Sequence, residues 1–223
     1  MTQRPSLFIG NKNYSSWSMR PWLALRWAGI EFYEDIIPLK ARGAGPNVTI
    51  QSVSPSGTVP ALKLPDGETV WDTIAICEWA HEQVPTAGLW PRDPLARALA
   101  RSASAEMHAG FGPLRQEMPM NVKRRKTEHA LSDAAKANVA RIDALLSTLM
   151  VRFDPAGTGW LFGHRTIADA FYAPVATRFR TYNVALSPMA QKWCDTVFAD
   201  PDFQAWERDA AAESWTLEET DSV

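Results

Sequence analysis

The chain has 223 residues, 46% of them hydrophobic and 22% charged, with a formal net charge of −2. This is the composition of a globular protein, long enough for two small domains or one large one. The near-neutral balance gives no reason to expect nucleic acid or an anionic membrane as a partner, and no apolar run reaches the roughly 20 residues that span a bilayer.

Met1 to Pro5 lead into a strand without an apolar leader. Cys77 and Cys194 stand apart, with neither C-x-x-C nor metal-ligand spacing, which fits a reducing cytoplasm. The ten tryptophans read mainly as core, with a cleft lining as the alternative. Ser6 to Gly10 form a short strand. Tyr14-Ser15-Ser16-Trp17-Ser18-Met19-Arg20-Pro21 follow, then the helical run Trp22 to Ala28. Pro21 belongs in a first helical turn, where amide donors are unpaired anyway, so the helix starts near Trp17 or Ser18. The hydroxyls of Ser15 and Ser16 then sit at its positive end. They either cap the helix or, with its free amides, receive an anion or a thiolate.

Ile30 to Leu39 alternate as a second strand. Lys40 to Ser56 read as a loop with at most a short helix near Val48–Val53. Pro60 opens a third strand, where its missing N–H is tolerated. A turn at Pro65 to Glu68 leads to a fourth, Thr69-Val70-Trp71. Asp72-Thr73 cap a helix with Ile76, Trp79 and Ala80 on one face. Residues 1–84 thus form a small α/β unit with a mixed sheet, and Gln83 to Pro91 read as a linker. Residues 92–223 read as all helical. Asp93–Met118 is broken near its end by Gly110, Gly112 and Pro113. Asp133–Phe153 is a clean amphipathic helix. Thr166-Ile167-Ala168-Asp169 resembles a capping box, and helices follow near Pro188–Phe198 and Pro201–Glu213. The last six residues read as a frayed tail. Lys123-Arg124-Arg125-Lys126 read as a solvated run. The four histidines have no ligand spacing, so no metal is expected, and no serine sits in a G-x-S-x-G.

An α/β unit, a proline-bearing linker and a helical second half, in this order, resemble the glutathione transferase superfamily along essentially the whole chain. Ser15-Ser16-Trp17-Ser18-Met19-Arg20 is similar to the Ser-Ser-Cys-Ser-x-Arg signature of the zeta class, which includes maleylacetoacetate isomerases. Thr58-Val59-Pro60-Ala61-Leu62 resembles the family's x-Val-Pro-x-Leu segment, Asp72-Thr73 stand where it has Glu/Gln-Ser, and Gly163 to Asp169 match its Gly-x-x-x-Ser/Thr-x-Ala-Asp motif. The resemblance implies a thioredoxin-like N-terminal domain over 1–84, an all-α domain over 92–223, a cytoplasmic homodimer, and a detoxifying transferase with glutathione as cosubstrate and no metal. Ser15 or Ser16, with Ser15 favoured, would activate the thiol. Ser15, Trp17, Arg20, Val59, Pro60, Asp72 and Thr73 would bind glutathione, with Val59–Pro60 cis, Asp72 on the γ-glutamyl ammonium, and Thr73 with the helix amides on the α-carboxylate. Met107, Phe111 and Arg115, with Met118 on the same face, would line the pocket of a small hydrophobic electrophile; Arg115 or Gln116 would reach the ligand. Trp17 stands where the zeta signature has cysteine, which favours a transferase over an isomerase. A non-catalytic binding member of the fold is the third reading.

Overall fold

The computed structural model describes residues 4–41 and 43–223. The reading of Met1 to Gln3 as a bare lead into a strand, and the loop position Arg42, lie outside the described residues. Strands β1 (Ser6–Ile9), β2 (Tyr33–Ile36), β3 (Ala61–Lys63) and β4 (Thr69–Trp71) form one sheet in the order β2-β1-β3-β4. Helix α1 (Ser16–Trp27) is the crossover that makes β1 and β2 parallel. The other pairs are antiparallel, and Leu62 faces Leu7 on one side and Val70 on the other. The second strand is shorter than the expected Ile30–Leu39. It lies at the sheet edge with Tyr33, Glu34 and Asp35 exposed, and Pro38 cannot extend the ladder; short edge strands resist pairing with other chains.

Helices α2 (Val48–Val53) and α3 (Thr73–Gln83) complete this α/β part. After a 3-10 turn at Pro85–Ala87 the chain is helical: α4 (Pro94–Ala109), α5 (Gly112–Glu117), α6 (Asp133–Phe153), α7 (Ile167–Thr181), α8 (Pro188–Ala199), α9 (Pro201–Ala212) and the short α10 (Glu218–Asp221). The stretch expected over Asp93–Met118 is two helices. Between them Phe111 adopts a left-handed conformation, φ 61°, and a Cβ on Gly110 would come within 2.8 Å of the Glu106 carbonyl.

The centre of the helical part is α7, in which every residue but Arg180 is buried. It packs against both α1 and α4 and so joins the two halves of the chain. The expected capping box starts it. Asp169 is fully buried and accepts from Thr166 N (2.9 Å), Thr166 Oγ1 (2.7 Å), Leu161 N (3.1 Å) and Trp193 Nε1 (3.0 Å). Burial pushes its carboxyl up despite these four donors. Trp22, Trp27, Trp90, Trp193 and Trp206 are core residues. Each of their indole N–H groups has an acceptor, as buried indoles require.

Two expectations are corrected at the end of the chain. The tail is not frayed, and the basic run is not simply solvated, because each holds the other. Arg124 donates to the Asp221 carbonyl, Lys126 Nζ to that of Val223 at 2.7 Å, and Lys123 to that of Glu213. Local composition hid this contact, whose partners lie about ninety residues apart in the chain.

Candidate active site

Ser15 is the N-cap of α1, which begins at Ser16 rather than at Trp17 or Ser18. Its Oγ accepts from Ser18 N at 3.4 Å and donates to Ser18 Oγ at 2.8 Å; Ser18 Oγ in turn accepts from Gly10 N at 3.1 Å. Ser15 is therefore a cap, with its hydroxyl proton turned inward. Ser16 is used differently. Its Oγ accepts from Nη2 of Arg178 on α7 at 3.3 Å, which leaves its own proton for a further acceptor. Both serines are nearly buried, and both stand at the positive end of a helix.

Beside them Trp17 lines a cleft of about 180 Å³ with Thr58, Val59, Pro60, Asp72 and Thr73. Five of the seven positions expected to bind glutathione thus share one cleft. Val59–Pro60 is cis. Asp72, the N-cap of α3, accepts from Ile74 N at 3.0 Å through Oδ1. Its φ of 71° is unusual outside glycine, and its carboxylate is half exposed, with Oδ2 3.8 Å from Nε2 of His108. The Thr73 hydroxyl donates to the Trp17 carbonyl at 3.1 Å, so it ties α3 to the first turn of α1, while the α3 amides remain at the cleft.

Arg20 and Arg115 stand outside the cleft lining, both against the Trp17 ring. Their guanidinium carbons lie 4.3 and 4.7 Å from its centroid, a double cation–π contact. Arg20 also lies 5.0 Å from the Phe171 ring, and His108 meets Trp17 edge-on at 5.1 Å. Arg20 is buried, and its Nε and Nη1 have no hydrogen-bond partner among the described residues, nor does Arg115 Nε. Arg115 donates to the carbonyls of Met107 and His108. Burial, then the charges of Arg115 and Arg178, bring Arg20 down to about 9. Burial, then Arg115, brings Arg178 to about 10, and burial lowers Arg115. None of the three pairs with a carboxylate among the described residues.

Of the other residues assigned to the electrophile pocket, Met107, Phe111 and Met118 are buried in the core, and Gln116 is exposed. Sequence reasoning missed Arg178 and the part played by His108. The signal for Arg178 was an arginine in the largely apolar run 170–179, with no acidic residue one helical turn away. Among the described residues no group of three histidines, cysteines or acids is placed to hold a metal, and no helix is long and apolar enough to cross a membrane.

The family model of the glutathione S-transferase N-terminal domain matches residues 14–83, the stretch that carries the serines and the whole cleft. The chain belongs to the glutathione S-transferase superfamily. Among its relatives, the maleylacetoacetate isomerase of Rattus norvegicus is 31% identical over 188 residues, 83% of this chain and 82% of that one. That of Pseudomonas aeruginosa is 26% identical over 208 residues, 89% of this chain and 93% of that one. A glutathione transferase homologue from Burkholderia, solved with bound glutathione, is 24% identical and superposes with a TM-score of 0.69 over 95% of this chain and 100% of its own. A glutathione S-transferase from Rhodospirillum rubrum gives 0.70 at 23% identity, over 97% and 98%. At these identities the two solved structures speak for the fold.

Proposed function

We propose that the chain is a glutathione-dependent enzyme that adds the glutathione thiolate to a small electrophile bearing a carboxylate. The observation that carries this reading is the trio Arg20, Arg115 and Arg178, buried or half-buried beside the serines without a carboxylate partner. Buried charge is rarely left unpaired, and an anionic ligand is the missing partner. The electrophile is thus anionic rather than purely hydrophobic. The peptide part of glutathione fits the cleft of Trp17, Val59, Pro60, Asp72 and Thr73, with its ammonium on Asp72 and its α-carboxylate at the α3 amides.

A free thiol titrates near 8.5 and is mostly protonated at neutral pH. At the α1 N-terminus the thiolate receives hydrogen bonds from the serine hydroxyls: Ser16 with its proton unspent and Arg178 behind it, Ser15 by turning its proton from Ser18. The sulfur attacks a carbon conjugated to the electrophile's carboxylate. The negative charge moves onto that conjugated group, where the arginines lower its energy. Protonation of the neighbouring carbon then completes transfer. A second reading, isomerisation, uses the same intermediate: the carbon–carbon bond rotates and the carbon–sulfur bond breaks, releasing glutathione. Relatives named for the isomerisation of maleylacetoacetate, a carboxylate by its name, favour it. As in the family, the working unit is a homodimer in the cytoplasm.

The test is a matched pair of a cis-unsaturated acid and its neutral ester, followed both for glutathione consumption and for cis–trans conversion. The acid should be turned over about 10–100-fold more efficiently, the worth of one charge-assisted contact of about 1.5–3 kcal/mol. Equal turnover of the ester would sink the assignment of the arginines.

A further inference from the structure

The loop that carries the serines is held from the far end of the chain. Glu213, the residue that closes α9, places Oε1 2.6 Å from Lys12 N and Oε2 3.0 Å from Asn13 N. Its carboxylate bridges two successive amides of the β1–α1 loop. The Lys12 carbonyl accepts from Trp206 Nε1, also on α9, at 3.0 Å. The buried Lys12 ammonium pairs with Asp209 of α9 at 2.6 Å and with Glu34 of β2 at 2.7 Å. Asn13 accepts from Val122 N at 3.2 Å and, through Oδ1, from Lys123 N at 3.0 Å. One residue on, the Tyr14 hydroxyl donates to the Asp221 carboxylate at 2.9 Å, which also accepts from Asn121 Nδ2 at 2.7 Å. Within the loop, Tyr14 N and Ser15 N both donate to the Asn11 carbonyl, at 3.1 and 2.8 Å.

We propose that Glu213, backed by Asp221, is a positioning residue for the thiol site: it fixes the β1–α1 loop so that Ser15 and Ser16 meet the sulfur. The proposal rests on the reading that these serines hold the thiolate. A negative charge at a helix C-terminus opposes the helix dipole, so Glu213 is misplaced for α9 itself. Its placement makes sense through the two charge-assisted bonds it makes to the loop. Without the bridge, both amides of a buried turn lose their acceptor and the residues before the serine pair regain conformational freedom. The error is passed to Ser15 and Ser16 through the chain, while the peptide part of glutathione stays held by Asp72 and Val59 in another segment. Disturbing Glu213 should therefore act on the sulfur and leave the rest of glutathione in place.

The experiment compares wild type with Glu213→Gln, Glu213→Asp, Ser15→Ala, Ser16→Ala and, as a structural control, Asp143→Asn. Asp143, on α6, accepts from the N–H of Ser187, the N-cap of α8, at 2.7 Å. Thiolate absorbance of bound glutathione is followed against pH, together with kcat and KM, and amide hydrogen exchange is followed over residues 10–16. In Glu213→Gln an amide NH₂ faces a backbone N–H. The thiol midpoint should rise by about one pKa unit and kcat at neutral pH should fall about tenfold, with KM for glutathione changed less than about threefold. Exchange should quicken in residues 10–16. Glu213→Asp, which keeps the carboxylate, should recover part of the effect, and Asp143→Asn should move neither curve. If a serine variant moves the titration and Glu213→Gln does not, the proposal is overturned while the reading of the serines stands. If none of them moves it, the reading of the serines fails and the role of Glu213 fails with it. Should Glu213→Gln not fold, Asp221→Asn, which frees Tyr14 and leaves the bridge intact, must show the same signs at smaller amplitude or the proposal falls.

Discussion

Replacing Arg178 by methionine separates a structural charge from a functional one. The side chain is buried, donates to Ser16 Oγ at 3.3 Å and to the Met118 carbonyl at 3.1 Å, and has no carboxylate partner among the described residues. Burial, then the charge of Arg115, lowers it to about 10. At about 1.36 kcal/mol per pKa unit, keeping this guanidinium charged costs the fold about 3 kcal/mol. The group is charged in both states at neutral pH, so this cost is present there in full and is relieved only as pH rises above about 10. Methionine fills a similar volume, removes the cost, and leaves the Met118 carbonyl unpaired for about 1–3 kcal/mol. The two terms nearly cancel, and the ligand-free variant should unfold within about 2 kcal/mol of wild type. Function should not cancel. Losing the cation behind Ser16 should lower kcat/KM about 10–100-fold, the equivalent of about 1.5–3 kcal/mol. The stabilisation of the folded state by saturating glutathione and a carboxylate electrophile should shrink accordingly. Urea unfolding with and without these ligands, alongside steady-state kinetics, measures both. A variant that loses more than about 4 kcal/mol without ligand, yet keeps the full ligand increment, would show the arginine to be a structural residue and refute the reasoning.

The two serines should differ in kind. Ser15→Ala removes the N-cap bond to Ser18 N and should cost about 1 kcal/mol of stability besides any effect on the thiol, whereas Ser16→Ala should raise the bound thiol's midpoint by about one unit without a capping loss. Denaturation and thiolate absorbance side by side tell them apart, and equal stability losses would contradict the assignment of Ser15 as the cap. Asp72→Asn keeps the cap to Ile74 N and removes the charge. KM for glutathione should rise about tenfold or more with kcat nearly kept; a kcat defect at unchanged KM would place Asp72 elsewhere in the reaction. Burial pushes the Asp154 carboxyl up, but bonds from Gly159 N at 2.7 Å and from Thr158 N and Oγ1 outweigh it and hold it below its usual value. A depressed carboxyl contributes stability above its unfolded value near 3.9 that is lost as pH falls through the folded one. Wild type should therefore lose more stability than Asp154→Asn on acidification from about pH 5 to pH 2, and parallel curves would count against it.

What the sequence determined is local. The hydroxyl-x-x-acid pattern at Thr166 to Asp169, the apolar spacing of Asp133–Phe153, the Pro and Gly that close the helices, and the Val-Pro before a short strand are settled by neighbours within about one helical turn. They can be read without knowing the fold, and they place Asp72, Thr73, Val59 and Trp17 near one another as soon as the family's order is recognised. The tertiary structure decided what depends on partners far along the chain. That Arg115 of α5 reaches the Trp17 ring, and that Arg178 of α7 reaches Ser16, follow from how these helices come to lie against α1. That the second strand lies at the sheet edge is a fact about its neighbours, whereas Pro38, which helps to end it, is written in the sequence. The tail reads as polar and disordered by composition. It is ordered because a basic run and the β1–α1 loop, distant in sequence, leave donors that its carbonyls and the Asp221 carboxylate satisfy. A hydrogen-bond donor on a loop does not specify its acceptor until the chain has folded back to supply one.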